Sequence, residues 1–491
     1  MITLNFIRTG DTYLKKYICV FILVFLPVSL QAQTNLTKEA IMNNFFGRQP
    51  AEIVKIDRKQ ILELAQNKID IDSVKENIIS VWINEEEFNW IKSKGWEVKW
   101  IQNEAKIYWD KLKEETKDSK NPMKDYHTYD EIVTELESHV TSYPDLCRLE
   151  SIGKSVQGRD LWFIKITDNP DIEEAEPEFK YISTMHGDEL IGTELCLYLI
   201  DLLLSNYNTD SRIKELVDST EIWIMPLMNP DGFEAGSRYN ANGIDLNRSF
   251  PDRVNGPPGK FQPEVQAIMD FGESHSSVMS ANFHTGTVVV NYPYDNTFYP
   301  YEEYHPDWYT PDNDVFVNHS LAYSIHNQPM YESTVFKNGI TNGIEWYIAV
   351  GSMQDYNYIW LSCNEVTIEL SYSDMVPVEQ ISQYWDDNRE SMLSYMEKVH
   401  TGVKGIITDS STGAPLEAEI QVEGRDHTVY SDGDVGDYYR LLLPGTYDLI
   451  FEAEGYPSKT VSGVVVNDGT ATVLDVEMNN TLSVSNIWLC Y

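Results

Sequence analysis

Four residues of the chain could form the ligands and the base of a hydrolytic metal site. His186 and Glu189 stand three residues apart in M-H-G-D-E-L, His284 stands in A-N-F-H-T-G, and Glu369 stands in V-T-I-E-L. Two imidazoles and one carboxylate are a protein ligand set of catalytic zinc, which keeps a further position open for water. A second carboxylate that is not a ligand can act as the general base. Together these residues predict a zinc-dependent hydrolase.

Each of these motifs is weak when it is taken alone. An H-x-x-E pair arises often by chance, and a single histidine is more often a core or surface side chain than a ligand. The chain contains no H-E-x-x-H, so it is not a zincin-type metalloprotease. The third ligand must come from elsewhere, and His284, which follows a predicted strand at 278–283, is the best candidate.

Two arginines lie between the ligand motifs, in a stretch that runs from 229 to 252. Arg238 is the first, and Arg248 follows Asn247 in N-G-I-D-L-N-R. A guanidinium binds a carboxylate through two hydrogen bonds and can also stabilise an oxyanion. Taken singly, each arginine is more often a surface residue, and N-P-D-G at 229–232 is an ordinary turn. The complete set carries more weight than any of its members.

The composition excludes some classes of function. With 37 basic and 77 acidic residues the formal net charge is −40, which argues against nucleic acid because phosphate binding needs a basic surface. A negative charge of this size attracts cationic substrates. It is explained at least as well by a contribution to solubility alone. A hydrophobic content of 42% is that of a folded protein, and 491 residues allow two or three domains.

The first 32 residues have the pattern of a secretory signal peptide. Two lysines at 15–16 precede an apolar run at 17–30, and cleavage is expected after Ala32. The run is too short for a comfortable membrane span, and Cys19 lies inside it, which does not fit a lipoprotein anchor. The other four cysteines form no C-x-x-C pair and are expected to be buried thiols. The mature protein is expected to be secreted or periplasmic.

Three domains are predicted after the signal peptide. Residues 33–121 form a small α+β domain, in which strands at 52–56, 69–71, 79–83 and 97–101 and helices at 58–65 and 85–94 precede a charged helix at 104–120. Polar residues at 117–122 form a candidate linker. Residues 122–402 alternate helices (129–141, 192–205) with strands (162–166, 179–184, 221–226), which predicts an α/β domain with a mixed sheet.

The C-terminal part of the chain, from residue 403 onward, has a different secondary-structure pattern. Short β-rich runs at 403–408, 417–422, 438–442, 445–451 and 470–476 are separated by Gly, Pro and Asp turns and predict a β-sandwich at 403–478. Residues 479–491 are a tail.

Within the central domain, His186 falls just past the strand at 179–184, and open α/β sheets place ligands at the carboxyl ends of their strands.

The order and spacing of the motifs resemble the zinc metallocarboxypeptidases, in particular the subgroup of carboxypeptidases N, E, M and D. The resemblance is spread over nearly all of 123–400, and the ordered set is specific. The C-terminal segment, with G-V-K-G-I-I-T-D and L-P-G-T-Y-D-L, resembles the transthyretin-like domain of that subgroup. The matching central segments are Y-H-T-Y-D-E, S-I-G-K-S-V-Q-G-R-D-L, H-G-D-E, M-N-P-D-G-F-E, N-G-I-D-L-N-R-S-F-P-D, H-T-G-T-V-V-V-N-Y-P-Y-D, N-G-I-T-N-G-I-E-W-Y, G-S-M-Q-D-Y-N-Y and E-V-T-I-E-L.

The resemblance implies a role for each member of the metal set. His186, Glu189 and His284 correspond to the ligands of one zinc ion per chain. Glu369 corresponds to the general base that deprotonates the attacking water and passes the proton to the leaving amine. Arg238 corresponds to the arginine that polarises the scissile carbonyl and holds the oxyanion.

The same resemblance implies the groups that recognise the substrate, which is the C-terminus of a peptide or protein. Asn247 and Arg248 correspond to the clamp on the terminal carboxylate, and Tyr347 to a mobile tyrosine that closes over it. Asp295 corresponds to the aspartate that selects C-terminal Lys or Arg, with Gln354 as a neutral polar neighbour. Taken alone, Asp295 is better explained as a solvated loop residue, and the selecting role is favoured only within the ordered set of matches.

Two functional alternatives and two uncertainties in the resemblance stay open. The subgroup contains inactive peptide-binding members, but this chain keeps the complete set of ligands, base, arginines and tyrosine. A deacylase or a cell-wall D,L-peptidase could use the same scaffold, but the Asn247-Arg248 clamp follows the peptide-cleaving members. Asp188 replaces an arginine of the digestive relatives, which affects outer subsites. Residues 33–121 resemble a propeptide, yet zymogen prodomains are usually missing in this subgroup, so a permanent accessory domain is an equal alternative.

Overall fold

A computed structural model describes residues 48–54, 57–75, 77–115, 126–300 and 304–480. The predicted signal peptide, the linker at 117–122 and nearly all of the tail lie outside these residues. Within the described part of the chain, every helix is too short or too polar to cross a bilayer.

The N-terminal sheet, as we call residues 48–101, is a four-stranded antiparallel sheet with two helices. The predicted order of strand, helix, strand, strand, helix, strand is confirmed, and both helices begin at a capping box, Asp57 with Gln60 and Asn84 with Glu87. The strands lie in the order β2-β3-β1-β4. The elements are β1 (Gln49–Val54), α1 (Arg58–Gln66), β2 (Asp70–Lys75), β3 (Ile78–Ile83), α2 (Glu85–Ser93) and β4 (Glu97–Trp100).

The central domain is built on one eight-stranded mixed sheet, as predicted. The strand order is β11-β10-β12-β9-β7-β8-β6-β5, in which β12, β9, β7 and β8 are mutually parallel and β5 and β6 run antiparallel at one edge. The strands are β5 (Cys147–Lys154), β6 (Asp160–Ile166), β7 (Glu178–Ser183), β8 (Glu221–Met225), β9 (Ser277–His284), β10 (Val289–Tyr292), β11 (Ile340–Asn342) and β12 (Asn364–Glu369).

Helices cover both faces of this sheet. The helix Ile191–Asn206 is apolar and mostly buried, so its hydrophobic residues do not form a single stripe. The helix Glu104–Glu115 precedes the domain, and the rest of the helix predicted to 120 lies outside the described residues. The other helices are Tyr129–Ser142, Ser211–Val217, Pro230–Ala235, Pro263–Ser274, Asn313–Ser324, Gln328–Tyr331, Gly343–Trp346, Met353–Leu361 and Ile381–Met396, with 3-10 turns at Leu246–Arg248, Pro306–Trp308, Lys337–Gly339, Val378–Gln380 and Glu397–His400.

The C-terminal domain is a β-sandwich, as predicted. One sheet has the order β16-β13-β19, with β20 also paired to β13, and the other has the order β15-β14-β17-β18. The predicted strand at 470–476 is two short strands, and two strands were not predicted, β15 and β18. The strands are β13 (Val403–Asp409), β14 (Ala418–Val422), β15 (Arg425–Tyr430), β16 (Asp437–Arg440), β17 (Gly445–Ala453), β18 (Lys459–Val466), β19 (Thr472–Val473) and β20 (Val476–Met478).

A buried ion pair joins the sandwich to the central domain. Asp312 is fully buried and accepts hydrogen bonds from both terminal nitrogens of Arg440, at 3.0 and 2.7 Å. It also accepts from Arg425 at 3.2 Å and from the Tyr358 hydroxyl at 3.1 Å. Because a buried charge without its partner is costly, loss of one member of the pair is expected to destabilise this junction.

Replacing Asp312 with alanine should therefore destabilise the protein by about 3–5 kcal/mol, because Arg440 would be left buried and unpaired. Asp314, whose side chain is 45% exposed and pairs with Arg425, provides the control. We expect Asp314→Ala to lower the free energy of unfolding by less than about 1 kcal/mol. Urea unfolding monitored by tryptophan fluorescence measures both variants. Equal losses for the two variants would contradict the role of the buried pair.

Candidate active site

Three neighbouring parallel strands bring the predicted metal site together at their carboxyl ends. His284 is the last residue of β9 and Glu369 is the last residue of β12, and the register pairs these two positions directly. His186 and Glu189 lie in the turn between β7 and the helix that follows it. Residues distant in sequence therefore meet at one edge of the sheet, where open α/β sheets bind their ligands.

The three predicted metal ligands converge on one point. Nδ1 of His186 lies 2.7 Å from one carboxylate oxygen of Glu189, and Nδ1 of His284 lies 2.8 Å from the other. The two Nδ1 atoms are 3.0 Å apart, and all three side chains are buried. Two imidazoles and a carboxylate with their donor atoms facing each other fit a zinc ion, so these three residues can hold the metal.

Glu369 lies beside this group and supplies a carboxylate outside the ligand set. It is 5% exposed, and its Oε2 atom has no hydrogen-bond partner. Burial, together with the nearby carboxylates of Glu189 and Asp72, raises the pKa of Glu369 well above its ordinary value. A buried carboxylate with a free oxygen and a raised pKa is suited to accept a proton.

Asp245 connects the groups of the site, and the sequence analysis missed it. One carboxylate oxygen accepts from Nε2 of His186 at 3.0 Å and from the backbone N–H of Asn247 at 2.8 Å. The other oxygen accepts from Nε of Arg238 at 3.0 Å. The contact to His186 leaves Nδ1 of that ring free to face the other ligands. The signal was present in N-G-I-D-L-N-R, two residues before Asn247.

Arg238 is 2% exposed and surrounded by carboxylates. Besides Asp245, its NH1 atom lies 2.6 Å from Asp72 and 3.4 Å from Glu189. These three carboxylates raise the pKa of Arg238 well above its ordinary value, although burial opposes the shift. The guanidinium therefore stays charged and in reach of the candidate metal site.

The other predicted substrate groups lie in the same cavity. Arg248 donates to the Asn247 carbonyl at 2.9 Å, and the Asn247 side chain accepts from the Met353 N–H at 2.9 Å, which ties it to the helix Met353–Leu361. Tyr347 is 8% exposed and packs edge-on against Trp346 at 4.6 Å between ring centroids.

Asp295 and Gln354 form a buried polar pocket. Asp295 is 4% exposed, and it accepts from the Gln354 amide at 2.8 Å and from the Asn291 amide at 3.3 Å. Burial raises the pKa of Asp295, while hydrogen bonds from Ser352 and Asn291 oppose the rise. The amide oxygens of Gln354 and Asn291 have no hydrogen-bond partner. Gly343 lies so close that a Cβ atom there would come within 1.9 Å of the Asp295 carboxylate, so the space requires glycine.

A single cavity unites nearly all of these side chains, but it is small. Of the ten predicted site residues, nine line it, and Gln354 reaches it through Asp295. Its volume is about 20 Å³, which is close to the space that one water molecule needs. A peptide terminus does not fit into that volume, so something closes the site.

The closing element is β2 of the N-terminal sheet. Asp72 pairs with Arg238, and the backbone carbonyl of Ile71 accepts from NH2 of Arg248 at 3.0 Å. The carbonyl of Val74 accepts from the Trp346 indole at 3.1 Å. One strand thus binds both arginines that the sequence assigns to the substrate. This contact could not be predicted, because the alternation in I-D-I-D-S indicates a strand but not a partner in the central domain.

Comparison with known proteins identifies the family. Residues 132–391, more than half of the chain, match the family described as Zinc carboxypeptidase, and residues 402–479 match the Carboxypeptidase regulatory-like domain. The chain therefore belongs to the zinc carboxypeptidase family, in agreement with the resemblance inferred from its motifs.

Similar chains carry the names of the same subgroup. Carboxypeptidase M of Mus musculus is 42% identical over 351 residues, covering 68% of this chain and 79% of that protein. The catalytic chain of carboxypeptidase N of Homo sapiens is 37% identical over 401 residues, which is 73% of this chain and 86% of that one. Carboxypeptidase D of Anas platyrhynchos is 41% identical over 383 residues, but the chain spans only 27% of its length.

Solved structures agree on the fold. Carboxypeptidase A from Helicoverpa armigera superposes with a TM-score of 0.57 at 18% identity, over 71% of this chain and 96% of that one. Thrombin activatable fibrinolysis inhibitor superposes with a TM-score of 0.54 at 17% identity, over 71% and 98% of the two chains.

Asp245→Ala should weaken zinc binding by roughly 10–100-fold, because His186 would lose the contact that fixes its ring orientation. Competition with a fluorescent zinc chelator measures the affinity directly and needs no substrate. Asp252→Ala offers a control, since Asp252 is a buried aspartate that bonds to Asn296 and Asn255 rather than to the ligands. Zinc affinity that stays at the wild-type value in Asp245→Ala would contradict the positioning role.

Proposed function

We propose that the chain is an exported zinc carboxypeptidase that hydrolyses the C-terminal peptide bond of peptides or proteins and prefers C-terminal Lys or Arg. The observation that carries the proposal is the meeting of three zinc-type ligands, an unpartnered carboxylate oxygen of Glu369 and two arginines in one cavity. Export is supported by the composition of residues 1–32.

The residues of the site divide the reaction between them. One zinc ion held by His186, Glu189 and His284 would supply Lewis acidity and an acidified water. Glu369 accepts the proton of the attacking water at its free oxygen and returns it to the nitrogen of the leaving amine. Arg238 donates to the carbonyl oxygen as negative charge develops there.

Binding of the chain end is assigned to a separate set of residues. Arg248 and Asn247 hold the terminal carboxylate through charge-assisted and neutral hydrogen bonds, which fixes the position of the scissile bond. Tyr347, next to them in the cavity, covers the bound end. Because the clamp recognises a carboxylate, only the last peptide bond of a chain lies within reach of Glu369 and Arg238.

The pocket around Asp295 supports a preference for cations. It offers a carboxylate and the two unpartnered amide oxygens of Gln354 and Asn291, so it contains acceptors that lack donors. A Lys or Arg side chain supplies these donors and a positive charge, whereas an apolar side chain would leave the carboxylate buried and unpaired. The net charge of −40 favours the approach of basic peptides.

The N-terminal sheet is proposed to hold the site in a blocked state. Asp72 and Ile71 bind Arg238 and Arg248, the groups needed for the substrate, and the remaining cavity is too small for a chain end. A permanent accessory domain in this position would compete with every substrate. This contact therefore favours the propeptide alternative for the N-terminal segment, and cutting the chain after the sheet should raise peptide hydrolysis.

Glu369→Gln should bind zinc at the wild-type level but lower kcat by roughly two to four orders of magnitude, because the amide cannot take the proton. Zinc content by atomic absorption and hydrolysis of a short peptide that ends in Arg are measured on the form in which the wild type is most active. Near-normal turnover in the variant would show that another group is the base. If His284→Ala still binds one zinc per chain, the ligand set is wrong.

Asp295→Ala should lower kcat/KM for a peptide ending in Arg far more than for the same peptide ending in Leu. We expect a difference of about 2–5 kcal/mol, since the buried charge pair with the substrate is lost. Asp386→Ala, which removes an exposed aspartate of the same domain, is the matched control. Equal losses on both peptides, or a wild-type preference for Leu, would remove Asp295 from the selecting role.

A further inference from the structure

The helix Glu104–Glu115 follows the N-terminal sheet in sequence but packs in the core of the central domain. Trp109 is 3% exposed and belongs to the main apolar cluster of that domain. Its ring meets Phe233 edge-on at 5.0 Å between centroids, and the hydroxyl of the adjacent Tyr108 accepts from the Tyr126 N–H at 3.2 Å. Truncation of a tryptophan buried at this depth is among the most destabilising core substitutions, so the helix is firmly held.

The start of the same helix is fixed to the segment that carries Arg238. Asn103 caps the helix by accepting from the Lys106 N–H at 2.8 Å, and its amide donates to the Gly236 carbonyl at 3.1 Å. Gly236 has φ +57°, and a Cβ atom there would come within 2.7 Å of the Lys106 Cα atom. The helix backbone therefore rests directly on a residue that stands two positions before Arg238.

The N-terminal sheet is attached outside that core. Its own apolar cluster continues onto Phe336, Trp346 and Tyr347 of the central domain. Its β2 strand also makes polar contacts with Arg238 and Arg248, two groups that the proposed reaction uses. The last contact within the sheet is from the Ile101 N–H to the Pro50 carbonyl at 3.0 Å. Gln102 follows, is exposed, and separates the sheet from the helix.

We propose that the helix Glu104–Glu115 is a permanent part of the catalytic domain that positions Arg238, and that the removable inhibitory unit ends at Ile101. This inference rests on the proposed function and refines its regulation. A cut within the polar stretch at 117–120 leaves the sheet joined to a helix that stays in the core, so the site stays blocked. A cut at Gln102 removes the covalent connection that keeps β2 at high local concentration over the site.

Two versions of the full-length chain test the division. One carries the recognition sequence of a site-specific protease between Ile101 and Gln102, and the other carries it in place of residues 117–120. Each purified, zinc-loaded protein is cut, diluted and passed over a size-exclusion column. The fragments in every peak are identified by mass spectrometry, and hydrolysis of a peptide ending in Arg is measured before and after the cut.

We expect the cut at Gln102 to release the sheet and to raise hydrolysis at least tenfold, with residues 102–115 retained in the catalytic fragment. The cut at 117–120 should leave both fragments in one peak with unchanged hydrolysis. Release of the helix after the second cut, or retention of the sheet after the first cut and dilution, overturns the proposal. If the fragments separate as expected but neither form cleaves any peptide, the division stands and the proposed function fails.

The positioning of Arg238 is tested in the protein that has been cut at Gln102. Trp109→Ala should lower kcat per zinc-loaded chain about tenfold with KM changed less than twofold, because Arg238 acts on the developing oxyanion rather than on binding. Trp109→Phe should restore most of the loss. Ile107→Ala, on the exposed face of the same helix, should leave both constants unchanged. Loss of zinc, or parallel changes of kcat and KM, would mean that the helix is only structural.

Discussion

The buried charge of Arg238 is the interaction on which the arrangement of the site depends. A guanidinium at 2% exposure needs paired carboxylates, since an unpaired charge in the interior costs several kcal/mol. Asp245 meets this need, and it also bonds to His186 and to the backbone of Asn247. One carboxylate thus contacts a proposed metal ligand, the proposed oxyanion donor and a residue of the proposed clamp. We expect a change at Asp245 to affect all three proposed functions.

The same requirement explains the position of the N-terminal sheet. With the sheet in place, Asp72 takes the NH1 atom of Arg238, which would otherwise face the oxygen of a substrate carbonyl. Under the proposed function, the strand occupies the place of the substrate oxygen, and NH1 becomes available when the strand leaves. The two states exclude each other because Asp72 and a substrate oxygen would occupy the same space beside NH1.

A second region of the structure is organised around the helix Met353–Leu361. Gln354, near its beginning, lies against Asp295, while Tyr358, one turn later, donates to Asp312 and stacks on His427 of the sandwich at 4.1 Å. The C-terminal domain therefore contacts the same helix that carries Gln354, the neighbour of Asp295 in the proposed cation pocket.

The sequence allowed the fold class and the members of the site to be predicted because strong periodic runs and short motifs carry them. The strands β10 and β11 were missed since four and three residues show no alternation, and their pairing with β12 and with each other comes only from the assembled sheet. Asp72 was missed for another reason: its partner Arg238 lies 166 residues away, and nothing local to Asp72 indicates that pairing. Long-range pairing of single polar residues leaves no pattern in one sequence.

The strength of the blocked state does not come from the Asp72–Arg238 pair. Burial is the largest influence on the Asp72 carboxyl and raises its pKa even though Arg238 lowers it, which indicates that desolvation offsets much of the attraction. The sheet gains more from the apolar contacts of its core, including Ile71, with Phe336, Trp346 and Tyr347 of the central domain. The ion pair determines where the strand lies, and apolar burial together with the covalent connection at Gln102 determines how long it stays. In this proposal, cutting the chain at Gln102 is enough to release the N-terminal sheet. Neither the charge of Asp72 nor that of Arg238 has to be neutralised.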